Sequence, residues 1–239
     1  TSSNYLSPAV LYVLCLLALS LSITDLYASS AQKTDERTEQ LKTIQKKYQG
    51  LTSLSFDFKQ TVHSNGRQRK GAGDSTLYRS APDSVGIMRW NYSKPDPQVI
   101  LNDGKELSIY SEKDKQLLVT SAGNVQSDIT YSFFTGTRDL LDDFEVLPVD
   151  KRFTKKKKKQ DVLSVQLVPK EPHGQVKTVH LWFDKESIIR KLIMEDHFDT
   201  ITELQFTKVE FDILPADSPK TVKELLHLDL PPDTEVIKQ

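Results

Sequence analysis

Few residues of this 239-residue chain have types and spacings that could do chemistry. The histidines, His63, His173, His180, His197 and His227, are scattered, with neither helical nor paired ligand spacing. Glu195-Asp196-His197 with Asp199 is the densest acid–histidine group, and its carboxylates could in principle hold a cation. It falls at a strand end, where charged turns are common, and reads as a solvated turn. Asp142, Asp143 and Glu145 read in the same way as a polar helix face. A Gly-x-Ser-x-Gly elbow, a phosphate-binding glycine loop, an HExxH pair and a dinucleotide fingerprint are all missing, so the sequence predicts no enzyme, no metal and no cofactor. Lys155 to Lys159 form a run of lysines that reads as a solvated hairpin tip, with anionic head groups or an acidic partner as the alternative.

The more informative residues are bulky and apolar, and their chemistry is non-covalent. Met88, Trp90 and Tyr92 alternate with Arg89 and Asn91, the period of a half-buried strand. Phe56 and Phe58 alternate with Ser55, Asp57 and Lys59, while Leu107 and Ile109 share one face of a further strand. Phe133 and Phe134 lie in an apolar insertion. A sheet bearing such side chains with few helices to cover it has two outcomes. It closes into a packed barrel, or it keeps an apolar concavity that takes a ligand.

The elements that position these residues are legible in outline. Residues 34–48 carry a three-to-four apolar spacing, with acids near the start and lysines near the end, which predicts a helix stopped at Gly50. From Leu54 the period becomes two. Asn65-Gly66 marks a turn, and Gly71 and Gly73 predict a bulge in the return strand that ends at Tyr78. Pro95 and Pro97 interrupt pairing after Tyr92, and Asn102-Asp103-Gly104 supplies the next tight turn. Residues 124–145, with Ile129, Phe133, Phe134, Leu140, Leu141 and Phe144, read as two short helices or one broken helix. Such an insertion suits a lid or plug, or an ordinary packing helix. Strands resume over 161–168, 176–184, 188–195 and 201–211, and the tail ends in extended pieces. The whole is mainly β, about ten or eleven antiparallel strands in an open curved sheet or barrel, with an N-terminal helix and a helical insertion.

Composition narrows the setting. Acids (33) and bases (32) nearly cancel, which argues against nucleic acid as a partner. Residues 1–30 hold an apolar run from Ala9 to Leu19 followed by small residues near Ser30, the pattern of a cleaved signal peptide whose own start is truncated. The run is shorter than the roughly 20 apolar residues of a membrane span. Cys15, the single cysteine, would leave with this leader, and the remaining residues 31–239 form one domain of balanced charge without thiols.

The order of motifs resembles the LolA family of periplasmic outer-membrane lipoprotein carriers. The resemblance rests on the leading helix, Phe58-Lys59-Gln60, Gly71-Ala72-Gly73, Met88-Arg89-Trp90-Asn91-Tyr92 with Pro95, Asn102-Asp103-Gly104-Lys105, Leu167-Val168-Pro169-Lys170, Glu195-Asp196 and Leu230-Pro231-Pro232. It implies an open β half-barrel lined by aromatic and aliphatic side chains, with helices as cover. The ligand wall would comprise Phe56, Phe58, Met88, Trp90, Tyr92, Leu107, Ile109, Phe133 and Phe134. It implies a monomer that takes acylated lipoproteins from an inner-membrane ABC transporter and delivers them to an outer-membrane receptor. Arg79 is the nearest match to the family's lid-holding arginine, although Ser80 and Ala81 separate it from Pro82. Carriage of another lipid, or envelope-stress sensing on the same fold, are the alternatives.

Overall fold

The computed structural model describes residues 36–81, 84–122, 134, 139–154, 162–171 and 176–239. The leader, Pro82, Phe133, the lysine run 155–159 and most of the apolar insertion lie outside these residues.

A single twelve-stranded sheet organises the chain. Helix α1 spans 36–49. Strands β1 (Ser53–Ser64), β2 (Arg67–Tyr78), β3 (Ile87–Lys94), β4 (Gln98–Asn102), β5 (Glu106–Ser111) and β6 (Gln116–Ser121) follow as a meander. Next come the short helix α2 (Leu140–Asp143), β7 (Phe144–Leu147), a 3-10 turn (Lys151–Phe153), β8 (Val162–Pro169), β9 (Val176–Asp184), β10 (Ile189–Asp196) and β11 (Ile201–Phe211). Helix α3 (Pro219–Leu226) and β12 (Glu235–Lys238) complete the chain. The spatial order is β12-β6-β5-β4-β3-β2-β1-β11-β10-β9-β8-β7, so β1 joins the two meanders by pairing with β11. The pairs are antiparallel except that β12 runs parallel to β6. This is the mainly β, open half-barrel with an N-terminal helix that the sequence predicts.

Four details differ from the sequence reading. The return strand β2 begins at Arg67, before the glycines, because Asn65 and Gly66 both take positive φ and close the hairpin early. Phe144, placed on a helix by its spacing from Leu140 and Leu141, opens strand β7, since its backbone pairs with Pro169 at the sheet edge. Helix α3 was not anticipated. Its signal is Ser218-Pro219, in which the serine side chain accepts from Thr221 N–H and proline occupies the first turn. The last extended piece becomes a parallel edge strand, which raises the strand count to twelve.

Cross-strand partners share a face, so the register separates two surfaces. One carries Leu54, Phe56 and Phe58 of β1, Leu204 and Phe206 of β11, Leu192 of β10, Val179 and Leu181 of β9, and Val165 and Leu167 of β8, all buried. Helix α1 covers this inner face through Leu41, Ile44 and Tyr48, which are almost fully enclosed. Burial of each such aliphatic side chain contributes about 1.5–3 kcal/mol. Helix α3 lies on the opposite, outer face, where Arg89 donates to the carbonyls of Leu225 and His227 and Tyr78 Oη donates to Pro215 O.

Candidate functional site

The inner face of β1 to β6 brings the predicted ligand residues together as a wall. Along the register, Phe56 stands opposite Ser75, Ser75 opposite Trp90, Trp90 opposite Ile100 and Ile100 opposite Ile109. A second row runs from Phe58 through Gly73 to Tyr92. A third runs from Leu54 through Leu77 and Met88 to Asn102 and Leu107. Phe56, Phe58, Met88, Trp90, Tyr92, Leu107 and Ile109 therefore face one way.

Small residues on β2 allow the aromatic rings to meet across it. Gly73 sits at a bulge against β3, and a Cβ there would lie 1.8 Å from Asn91 O. Gly71 leaves room for the Tyr92 ring, which a Cβ would touch at 3.1 Å. Across this low strand the Phe58 ring lies edge-on to Trp90 at 4.8 Å and to Tyr92 at 4.9 Å, and Phe56 meets Trp90 at 5.5 Å. Such edge-on pairs add about 0.5–1.5 kcal/mol each beyond their buried area. The Tyr92 hydroxyl reaches Gln60 Oε1 at 3.3 Å, which ends the apolar row on a polar note.

Phe134 closes the other side of the cluster. Its ring lies 5.3 Å from Phe56, 5.5 Å from Phe206 and 6.0 Å from Tyr48, and it is 2% exposed. Phe133 lies outside the described residues. Tyr48, Phe206 and Phe211 were not singled out in the sequence as wall residues. The spacing of α1 placed Tyr48 on an apolar stripe, but nothing in the spacing marked any of the three as a neighbour of β1. The Tyr48 hydroxyl accepts from Ile189 N–H, and burial, only partly countered by that hydrogen bond, pushes its pKa well above the usual phenol range. It stays neutral.

Arg79 is buried and donates from Nη2 to Tyr48 O at 2.8 Å. The cation therefore sits at the C-terminal end of α1, where carbonyls lack helical partners and the dipole favours positive charge. The guanidinium thus reaches the residue whose ring touches Phe134.

The acid–histidine cluster takes a different form from the one predicted. Glu195 is not solvated. It is buried on the outer face and accepts from Arg152 at 2.8 Å and Lys177 at 3.0 Å. Burial raises its pKa, but those two hydrogen bonds and charges outweigh the effect and hold the carboxyl below its ordinary range. Asp196 accepts from Phe198 N–H and Thr200 N–H, closing its own turn. The reason for the difference is the 3-10 turn at Lys151–Phe153, which folds back over β9 and β10 and roofs what would otherwise be an open strand end. Among the described residues no acid–histidine group could hold a metal ion. None of the helices described is long and apolar enough to cross a membrane.

Comparison with known proteins points to one family. The family profile described as "Outer membrane lipoprotein carrier protein LolA" matches residues 49–218, which run from the end of α1 to the start of α3. An outer-membrane lipoprotein carrier protein from Nitrosomonas europaea is 24% identical over 78% of this chain and 84% of its own length. Another, from Alkalilimnicola ehrlichii, is 27% identical over 86% of this chain and 85% of its own. The crystal structure of a LolA superfamily protein from Nitrosomonas europaea superposes with a TM-score of 0.37 at 11% identity, over 73% of this chain and 94% of that one. The segment matched by the profile holds both halves of the sheet and the whole aromatic wall, and on that ground the chain belongs to the LolA family of outer membrane lipoprotein carrier proteins.

Proposed function

We propose that this chain is a periplasmic carrier that shields the acyl chains of lipoproteins on the inner face of its half-barrel and moves them from the inner to the outer membrane. The observation that carries the reading is the aromatic and aliphatic wall from Phe56 to Ile109, which spans five strands and is only half-buried at Trp90, Tyr92, Ile100, Leu107 and Ile109. Each acyl methylene taken out of water gains about 0.8 kcal/mol, so a single long chain represents on the order of 10 kcal/mol. A lipoprotein cannot cross an aqueous space against that term without cover. A carrier must also release its cargo, so its apolar surface should be shared with a side chain of its own when empty. Phe134 suits that role because it already occupies the wall between Phe56 and Phe206. Arg79 would act as the latch indirectly, by steadying the end of α1 beneath Phe134 through its hydrogen bond to Tyr48 O.

Carriage between two membranes requires three partners. Acylated lipoproteins are the cargo, an ATP-driven extractor at the inner membrane is the donor and a receptor at the outer membrane is the acceptor. The test is release of a triacylated lipoprotein from spheroplasts by the purified exported protein. A soluble one-to-one complex is expected, weakened by Trp90→Ala and by Phe58→Ala. If lipoproteins stay on the spheroplasts while free phospholipid or glycolipid copurifies with the protein, the chain carries another amphiphile and this reading fails.

A further inference from the structure

The inner face does not end at Tyr92. Beyond the Gln60–Gly71 pair, β1 and β2 continue as a hairpin ribbon, with β11 still paired to β1 as far as His63, and in it Val62 stands opposite Arg69 and Ser64 opposite Arg67. Gln60, Val62 and Ser64 share the parity of Phe56 and Phe58, so Arg67 and Arg69 share the face of the aromatic wall. Arg69 lies four residues along β2 from Gly73, about 13 Å from the Phe58–Tyr92 row. Val62, Ser64, Arg67 and Arg69 line a cleft of about 520 Å³ together with Asn65. Both arginines are exposed, and neither forms an ion pair with a described residue. The ribbon from Phe58 to Gly73 holds Lys59, Arg67, Arg69 and Lys70 and no acid. The lysines fall on the outer face by the same register, since Lys59 stands opposite Ala72 and Lys70 opposite Thr61.

The inner face thus grades from aromatic, through the amide and phenol of Gln60 and Tyr92, to paired guanidinium groups at its rim. That is the polarity of an amphiphile lying lengthwise along β1. Resting on the acyl-wall reading above, we infer that Arg67 and Arg69 hold an anionic head or an acidic residue beside the acyl attachment point, so that the groove prefers negatively charged acylated ligands. Guanidinium forks suit phosphate and carboxylate oxygens because they can donate two parallel hydrogen bonds. The arginines sit on the inner face while the lysines point away, which favours a ligand in the groove over a flat membrane surface.

The experiment is calorimetric titration of the exported protein with monomeric lysophosphatidylglycerol and lysophosphatidylcholine of the same chain length. The anionic ligand should bind about three- to tenfold more tightly, the range that two exposed ion pairs supply, and the preference should fade in high salt. The double variant R67Q/R69Q should lose the preference, its affinity falling further for the anionic ligand than for the zwitterionic one, whose choline cation offsets the phosphate charge that both ligands share. K59Q/K70Q, altered only on the outer face, should retain it. Equal binding of both ligands by the unaltered protein, or an undiminished preference in R67Q/R69Q, overturns the inference and leaves the acyl wall standing. Binding of neither ligand overturns the wall as well. A charge preference seen only with anionic vesicles, and lost in R67Q/R69Q, would make the ribbon tip a membrane contact and also overturn it.

Discussion

Acid should destabilise this protein through one buried histidine. His180 is fully enclosed on the outer face of β9, beneath the Phe153 ring at 4.7 Å, with Thr178 Oγ1 3.3 Å from Nε2 and no hydrogen-bond partner for Nδ1 among the described residues. Burial drives its pKa from 6.5 down to about 4; Asp150 and Glu195 pull it upward, and Arg152 and Lys191 push it further down. The folded chain therefore keeps the ring neutral while the unfolded chain protonates it below 6.5. Stability from this group is fully present above 6.5 and is lost as the pH falls toward 4. Integrating proton binding between pH 7.5 and 4.5 gives a loss of about 2.5 kcal/mol from His180 alone. Glu195 adds to any acid destabilisation, because its depressed pKa gives stability that is lost as the pH falls through the folded value. The comparison must therefore be differential. His180→Leu keeps an apolar filler under Phe153 and removes the titration. Urea unfolding at both pH values should show the unaltered protein losing about 2.5 kcal/mol more than the variant. Parallel losses would show that the ring is hydrated or already charged in the folded state, and would refute the account.

Three further outcomes concern the wall. Gly73→Ala should cost several kcal/mol, because the new methyl would meet Asn91 O at 1.8 Å and β3 must shift; thermal melts and the Trp fluorescence maximum should both move. Arg79→Met should cost about 1.5–3 kcal/mol by removing a charged donor from the end of α1, and hydrogen exchange should quicken over residues 41–49 before the rest of the chain. Trp90→Ala should cost less than the roughly 3–5 kcal/mol of a fully enclosed aromatic residue, since Trp90 is half-buried, yet weaken acyl-chain binding more than tenfold. If stability falls steeply while binding is unchanged, Trp90 is core and not wall.

Much of this arrangement was legible in the sequence, and the parts that were not share a cause. Alternation gave β1, β3 and β5 with the correct residues on one face, because a strand's period is short enough to read in a handful of residues. The bulge at Gly73 and the interruption at Pro95 and Pro97 were readable for similar local reasons. Pairing was not local. That β1 joins β11, and so brings Phe206 beside Phe56, depends on contacts about 150 residues apart for which no spacing rule exists. Phe144 was misassigned because residues at i, i+3 and i+4 also arise by accident when a one-turn helix runs straight into a strand. Glu195 looked solvated because a strand-end acid usually is, and only the folding back of Lys151–Phe153 enclosed it.

The inner face is packed unevenly, and that asymmetry makes carriage physically reasonable. Under β1 and β7 to β11 the side chains are sealed by α1 and by one another; Val165, Leu167 and Leu181 have no exposed surface. Across β4 to β6 the corresponding residues Ile100, Leu107, Ile109 and Leu118 are half-buried and belong to no enclosed cluster. A sheet sealed throughout would have no room for an acyl chain, and one open throughout would not hold its shape in water. The sealed half supplies the stability that keeps the open half in place. A ligand on the open half gains only the area still exposed, so its binding stays below the full transfer energy of its chains and remains reversible. Cavity-filling substitutions on that half, such as Leu107→Phe, should therefore stabilise the empty protein while weakening acyl-chain binding. Equal or tighter binding in such a variant, measured with the same lysophospholipids, would show that the chains lie elsewhere.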